Sequence, residues 1–115
     1  MILIYGNSKL WELLSESDIK ELKNTHARIQ KELHGTAELI DHKELVIESA
    51  KVIRTVRGET SIVEGPFSEG KQTIAGYYLV KCNSEKRVLE IAAQFKETVF
   101  SPVEIRRLNS SSSWD

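Results

Sequence analysis

The order of helical and extended patterns along the chain is the feature that most restricts its fold. The aliphatic segment Met1–Tyr5 ends at a Gly-Asn pair, which predicts a first strand closed by a turn. From Ser15 to Leu33, apolar residues and one histidine recur at steps of three and four, as in a stripe along one face of a helix: Ile19, Leu22, His26, Ile29 and Leu33. Ser15 and Asp18 have the spacing of a capping box, so the helix should begin there and end near Gly35.

The rest of the chain predicts further strands and one more helix. Extended segments are expected at Glu38–Ile40, followed by a loop over Asp41–Lys43, then at Lys51–Arg57, Thr60–Glu64, Ala75–Cys82 and Val103–Leu108. The Gly58-Glu59 pair predicts a hairpin turn between two of these strands. A second helix is expected to begin at Asn83 or Ser84 and to end before Pro102.

This order is the βαββαβ pattern of a ferredoxin-like α+β sheet with an extra hairpin. The chain has 115 residues, which suits one domain, predicted over residues 1–108, with a polar tail over 109–115. Helices on one face of such a sheet leave the other face uncovered. We therefore expect a homodimer in which a second subunit packs sheet against sheet.

Charge and composition exclude several classes of protein. Sixteen Lys and Arg residues against seventeen Asp and Glu give a net charge of -1, so no overall basic field attracts nucleic acid or an anionic membrane. No apolar run approaches the roughly 20 residues that span a bilayer. The single cysteine, Cys82, and the absence of a basic flank before the first apolar segment favour a soluble, cytoplasmic protein.

The segment from Ile62 to Val80, IVEGPFSEGKQTIAGYYLV, interrupts two strands with a Gly-Pro-Phe break. Proline lacks an amide hydrogen and disfavours a helical predecessor, so Pro66 ends strand pairing, and Phe67 is expected to fold back over the core. Charged residues around a loop are usually solvated, which is the simplest explanation of Glu64, Glu69 and Lys71.

EGPFSEGK followed by AGYYLV resembles the signature of the DGPF, or YCII-related, family. The resemblance extends to LIYGN near the start, His26, Gly35, Glu38-Leu39 and the VEIRRL segment. It implies a ferredoxin-like fold that assembles as a dimeric α+β barrel. Four positions depart from the family pattern, including a longer carboxylate in place of the signature aspartate: Glu64, Gln72, Phe95 and Arg107.

The resemblance also implies what the protein does. Family members are mostly uncharacterised; a histidine and an acidic residue have been proposed as an active site, some relatives are encoded beside extracytoplasmic-function sigma factors, and one is linked to dehalogenation of an aromatic ring. On this chain the histidine is His26. The carboxylate is predicted to be Glu64, or else Asp41, either of which would fix the tautomer of the imidazole for acid–base chemistry.

Other residues complete the predicted site, each with a structural alternative. Lys71 either stabilises developing negative charge or pairs with Glu69 on the surface. Tyr77 and Tyr78 point to opposite faces of their strand, so one is expected in the core while the other offers its hydroxyl to a small-molecule ligand. Pro66 and Phe67 would form one wall of the pocket.

Metal and cofactor motifs are weak in this sequence. On one helix, His26 and His34 would lie about 12 Å apart, too far to bind one ion. Cys82 has no second cysteine, and no phosphate-binding glycine pattern is present, so we expect neither a metal nor a cofactor. Two functions stay open: an enzyme that transfers a proton with His26 and a carboxylate, or a non-catalytic module that binds a ligand or protein, accessory to sigma-factor-linked transcription. Only the first needs a carboxylate at His26.

Overall fold

The structure is a computed structural model that describes residues 1–67 and 72–109. Its elements follow the chain in this order: β1 Ile2–Gly6, α1 Ser8–Glu12, α2 Glu16–Gly35, β2 Leu39–Glu44, β3 Lys51–Val56, β4 Glu59–Glu64, β5 Thr73–Val80, α3 Glu85–Ala92, a 3₁₀ helix Lys96–Val99, and β6 Val103–Ile105.

Two antiparallel sheets are built from these strands. Four strands form one sheet in the order β2-β5-β1-β6, and β3 pairs with β4 in a separate hairpin. This mixed α+β arrangement is compatible with the predicted ferredoxin-like fold, in which strands distant in sequence lie side by side.

The core lies between one face of the four-stranded sheet and the helices α2 and α3. Strand alternation places Ile2 and Ile4 of β1 and Tyr78 of β5 on that face, where all three are buried. The helices and the segment after α3 supply their apolar partners Ile29, Leu33, Ile91, Ala92 and Phe95. The opposite face of the sheet, here called the outer face, has no helix of the described residues packed on it.

The start of α2 confirms the sequence prediction. The Ser15 side chain accepts from the Asp18 amide at 3.1 Å, and the Asp18 carboxylate accepts from the Ser15 amide at 3.1 Å. Both bonds satisfy amides that the first turn of a helix leaves unpaired. The predicted apolar stripe is correct at Leu22, Ile29 and Leu33, whereas Ile19 is exposed near the helix start.

The hairpin of β3 and β4 projects away from the core. Its two-residue turn consists of Arg57 and Gly58, with φ of 53° and 81°. Positive φ at both positions is typical of the type I′ turn that suits hairpin twist. The turn lies one residue before the predicted Gly58-Glu59. Nearly every side chain of the hairpin is exposed, including the cross-strand pair Ile53 and Ile62.

The structure corrects three sequence predictions about secondary structure. The segment Asp41–Lys43 was predicted as a loop, but it lies within β2 and pairs with β5 as far as Glu44, because an edge strand tolerates charged side chains. The final strand ends at Ile105, well before Leu108. Neither α1 nor the 3₁₀ helix was predicted, since each is too short for a helical period to be visible.

Glu38 ties together three parts of the fold at the start of β2. Arg87 of α3 donates to both of its carboxylate oxygens, at 2.9 Å from Nε and 2.8 Å from Nη2, and the Thr36 hydroxyl donates at 2.6 Å. These donors, with Arg87 first, lower the pKa of Glu38 to about 2. The carboxylate therefore fixes α3 against the end of α2.

None of the helices in residues 1–67 and 72–109 combines the length and the apolar character that crossing a membrane requires.

Candidate functional site

His26 is held between two polar partners at the edge of the core. Its Nδ1 lies 2.7 Å from the Tyr78 hydroxyl, and its Nε2 lies 2.5 Å from Oε2 of Glu97. The imidazole side chain is 24% exposed, whereas the Glu97 side chain is 6% exposed. A histidine on this helix face thus meets a carboxylate from a distant part of the chain.

Tyr78 reaches His26 because it lies on the core face of β5. It is 3% exposed, and its hydroxyl accepts from Nε2 of Gln30 at 2.9 Å. Gln30 follows His26 by four residues, so both side chains project from one face of α2. Burial raises the pKa of Tyr78 above its usual value, the Gln30 hydrogen bond opposes that rise, and the nearby Glu97 charge adds to it.

Glu97 is placed by the 3₁₀ helix that follows α3. The helix turns the chain back beneath α2, and the Ser101 amide donates to the Glu97 carbonyl at 2.8 Å. With Oε2 on His26, the other carboxylate oxygen is buried without a hydrogen-bond partner among the described residues. A carboxylate withdrawn from water in this way needs its histidine contact to offset the loss of hydration.

Aromatic rings surround these groups, which we call the His26 cluster: His26, Glu97, Tyr78 and Gln30. The Phe95 ring meets the rings of His26 and Tyr78 edge-on, with centroids 5.2 Å and 4.8 Å away. His42 of β2 stacks on Tyr78 at 5.2 Å. The rings limit water access and hold the imidazole and the phenol in one relative orientation.

The hydrogen bonds of the His26 cluster all run in one direction, from donor to acceptor. Tyr78 already accepts from Gln30, so its own hydroxyl proton is available for Nδ1 of a neutral imidazole. The other imidazole nitrogen then carries the proton and donates to the Glu97 carboxylate. Donation therefore runs from Gln30 through Tyr78 and His26 to Glu97, with this tautomer assigned from the bonding pattern.

The structure does not bring His26 together with either of the carboxylates that the sequence suggested. Glu64 lies exposed on β4 and accepts from Nζ of Lys51 at 2.6 Å and 2.7 Å. Asp41 lies on the outer face, where it accepts from the Tyr77 hydroxyl at 2.7 Å and from Lys43 at 2.8 Å. The predicted pairing was wrong because the hairpin carries Glu64 away from α2 and because strand alternation turns Asp41 away from the core.

Tyr77 and Tyr78 do point to opposite faces, as predicted. Tyr78 joins the His26 cluster, and Tyr77 belongs to the outer face with Asp41. The Lys43 ammonium, and after it the Tyr77 hydroxyl, lower the pKa of Asp41 to about 2. These two contacts therefore stabilise the ionised carboxylate of Asp41, which accepts hydrogen bonds from Lys43 and Tyr77 and not from His26.

The Gly-Pro-Phe segment is also placed differently from the prediction. Phe67 is 74% exposed and lies beneath the Arg54 guanidinium, 5.7 Å from its ring centroid, so it does not fold back over the core. The preceding Gly65-Pro66 peptide is cis, and Pro66 is half-buried. Lys71 and Glu69 lie outside the described residues. A wall of a pocket around Pro66 and Phe67 stays a prediction.

Metal ligands do not gather at this site. Within the described ranges, no group of three or more His, Cys, Asp and Glu side chains is arranged to hold a metal ion. Cys82 is half-buried, and burial raises the pKa of its thiol, which favours the unreactive protonated form.

Sequence reasoning missed Glu97, Gln30 and His42 as members or neighbours of the site. Gln30 follows His26 by one helical turn, a spacing that could have pointed to a shared partner. His42 was assigned to a loop. Glu97 is 71 residues from His26 and lies in a segment without a helical or strand pattern of apolar residues. The nearby Phe95 was the one sequence signal that this segment is buried.

Comparison with known proteins agrees with the motif evidence. The family model of the YCII-related domain matches residues 1–109, which confirms the family resemblance. An uncharacterised protein, R00369, of Rhizobium meliloti (strain 1021) is 26% identical over 92 residues. That alignment covers 79% of this chain and 74% of the relative.

Proposed function

Because the chain belongs to the YCII-related domain family, we propose that it is an enzyme of that family that transfers a proton to or from a small organic molecule at the His26 cluster. The observation that carries the proposal is the 2.5 Å contact between Nε2 of His26 and the buried Glu97 carboxylate. A histidine that is oriented by a carboxylate and bonded to a hydroxyl has the arrangement of an activated acid–base group.

The Tyr78 oxygen supplies the position at which a substrate would react. A hydroxyl has one donor and two acceptor sites; the donor faces His26, and one acceptor site faces Gln30. The remaining lone pair can receive a proton from the substrate while the hydroxyl proton passes to Nδ1 of His26. Tyr78 then stays neutral, the imidazole becomes positively charged, and the substrate retains the electron pair.

Glu97 makes this proton uptake favourable without touching the substrate. Its charge stabilises the imidazolium that forms, and its hydrogen bond keeps Nδ1 facing Tyr78. In this proposal Glu97 takes the orienting role first predicted for Glu64 or Asp41. The rings of His26 and His42 lie against Tyr78, and both histidines are half-buried.

Deuterium exchange into carbon acids tests the proposal. Hydroxyacetone and dihydroxyacetone incubated in deuterated buffer are expected to lose their α-proton NMR signals faster with the wild type than with His26→Asn, by about a hundredfold for a lost acid–base group. His34→Asn, at the exposed end of α2, is the matched control and should keep the wild-type rate. Equal rates for the wild type and His26→Asn would contradict proton transfer at this site.

A second function is favoured by one feature of the same geometry. Both ring nitrogens of His26 are already bonded within the protein, as they would be in a purely structural network. A chain with such a network can act as a non-catalytic module that binds a ligand or protein, including one accessory to sigma-factor-linked transcription. If the wild-type protein exchanges the α-protons of hydroxyacetone and dihydroxyacetone no faster than buffer alone does, this second function is favoured.

A further inference from the structure

The solvent-facing side of α2 carries a row of positive charges. The side of the helix that packs on the core is formed by Leu22, Thr25, Ile29 and Leu33. The opposite side, here called the basic face, consists of exposed side chains at helical spacing: Lys20, Lys23, Asn24, Arg28 and Lys31. Four cations therefore lie within about 17 Å along one side of a single helix, at the standard rise per residue.

The carboxylates of α2 in this span are engaged by cations from outside the helix. Glu21 pairs with Lys96 of the 3₁₀ helix at 3.5 Å, and Glu32 pairs with Arg87 of α3 at 3.3 Å. None of the ion pairs within residues 1–67 and 72–109 involves a cation of the basic face. Its positive charge is therefore uncompensated by the rest of the described fold.

Exposed apolar side chains adjoin the N-terminal end of the basic face. A groove of about 310 Å³ lies there, and its lining includes Ile19, Glu16, Lys20 and Lys23. Ile19 is 39% exposed, and Leu13, in the link between α1 and α2, is 81% exposed. Apolar contact area next to charge is what an amphipathic helix of a partner recognises in a groove.

We propose that the basic face binds an acidic helical segment of a partner protein. An apolar side chain of that segment lies against Ile19, and its carboxylates face the lysines. Burial of Ile19 contributes affinity, whereas the complementary charges orient the segment and speed its association. About three turns of helix match the length of the basic face. No residue of the basic face belongs to the His26 cluster, so the inference does not rest on proton transfer.

The charge of this surface changes sign along α2, which favours a polypeptide over other polyanions. Glu12 and Glu16, on either side of Leu13 in the sequence, are both exposed. A nucleic acid backbone or an anionic membrane presents negative charge along its whole length, and these glutamates repel it. A peptide can place a cation opposite them and carboxylates opposite the lysines. Leu13 and Ile19 also offer nothing to a phosphate backbone.

Fluorescence anisotropy with a designed peptide tests the proposal. The probe is a fluorescein-labelled peptide of four Leu-Ala-Ala-Glu repeats, whose leucines and glutamates form adjoining stripes on a helix. Its matched control has glutamine in place of every glutamate. In low-salt buffer the wild-type protein is expected to bind the probe at least about tenfold more tightly than the control peptide.

Three protein variants locate the binding surface. Lys20→Glu with Lys23→Glu should weaken binding of the probe at least about tenfold, because attractive contacts become repulsive. Lys81→Glu with Lys86→Glu makes the same change of net charge at exposed positions outside α2 and should stay within about twofold of the wild type. Ile19→Ser should weaken binding at least about threefold, since it removes the apolar contact.

Several outcomes overturn the proposal: a wild type that does not bind the probe, a control peptide that binds as tightly, or unchanged binding in the Lys20→Glu, Lys23→Glu variant or in Ile19→Ser. Duplex DNA of about 20 base pairs and vesicles with about 30% phosphatidylserine are compared in the same buffer. Tighter binding to either of them than to the peptide, lost in the same lysine variant, also overturns the proposal and assigns the basic face to nucleic acid or to a membrane surface.

Discussion

Replacing Glu97 with alanine is expected to lower the free energy of unfolding by about 2–3 kcal/mol, measured by urea denaturation at neutral pH. The substitution removes the acceptor of the His26 Nε2 proton and leaves space where a buried side chain was. An imidazole N–H that has lost its partner away from water costs more than the bond itself contributed. The loss of packing adds to this cost.

Two further variants separate the carboxylate from its surroundings. Glu97→Gln keeps the shape of the side chain and one acceptor oxygen. Its free energy of unfolding should therefore fall by less, about 1 kcal/mol. Glu90→Ala removes an exposed glutamate of α3 and should stay within about 0.5 kcal/mol of the wild type. If Glu97→Ala were as stable as Glu90→Ala, the His26 cluster would not be a packed, hydrogen-bonded unit.

Removing Arg87 is expected to change the pH dependence of stability. The folded-state pKa of Glu38 is lowered from 4.5 to about 2, so its contribution is complete above pH 4.5 and is lost as the pH falls towards 2. Arg87→Met should lower the urea midpoint at neutral pH by roughly 0.5 M, a modest effect because solvent screens the pair. The difference from the wild type should then shrink between pH 4.5 and 2.

Lys86→Met provides the matched comparison for that experiment. It removes one positive charge from the neighbouring, exposed position of α3 without touching Glu38. Its urea midpoint should follow the wild-type curve at every pH. A constant gap between the wild type and Arg87→Met down to pH 2 would mean that Arg87 acts through packing and not through the Glu38 carboxylate.

The parts of the fold that sequence could predict are those encoded locally. Ser15 and Asp18 fix the start of α2 because their side chains bond to amides only three residues away. Strand alternation predicted that Tyr77 and Tyr78 would separate to opposite faces, which they do. Each of these signals depends on neighbours in sequence, so no knowledge of the tertiary fold was needed.

The carboxylate of the site could not be predicted in the same way. Glu97 and Glu64 are both glutamates near aromatic residues in sequence, and their roles are set by where the chain carries them. The β3 and β4 hairpin takes Glu64 into solvent beside Lys51, whereas the turn after α3 brings Glu97 under α2. That difference arises from long-range packing, which a single sequence records only weakly.

Nitrogen-15 NMR of the His26 ring tests the hydrogen bonding of the His26 cluster most directly, because it reports which ring nitrogen carries the proton. We predict one tautomer at neutral pH, with Nε2 protonated towards Glu97, Nδ1 unprotonated and accepting from Tyr78, and slow exchange of the Nε2 proton. In Tyr78→Phe the same tautomer should persist while the Nδ1 signal shifts, since its donor is gone. A ring protonated at Nδ1, or one that alternates between tautomers as a solvated histidine does, would contradict the His26 cluster.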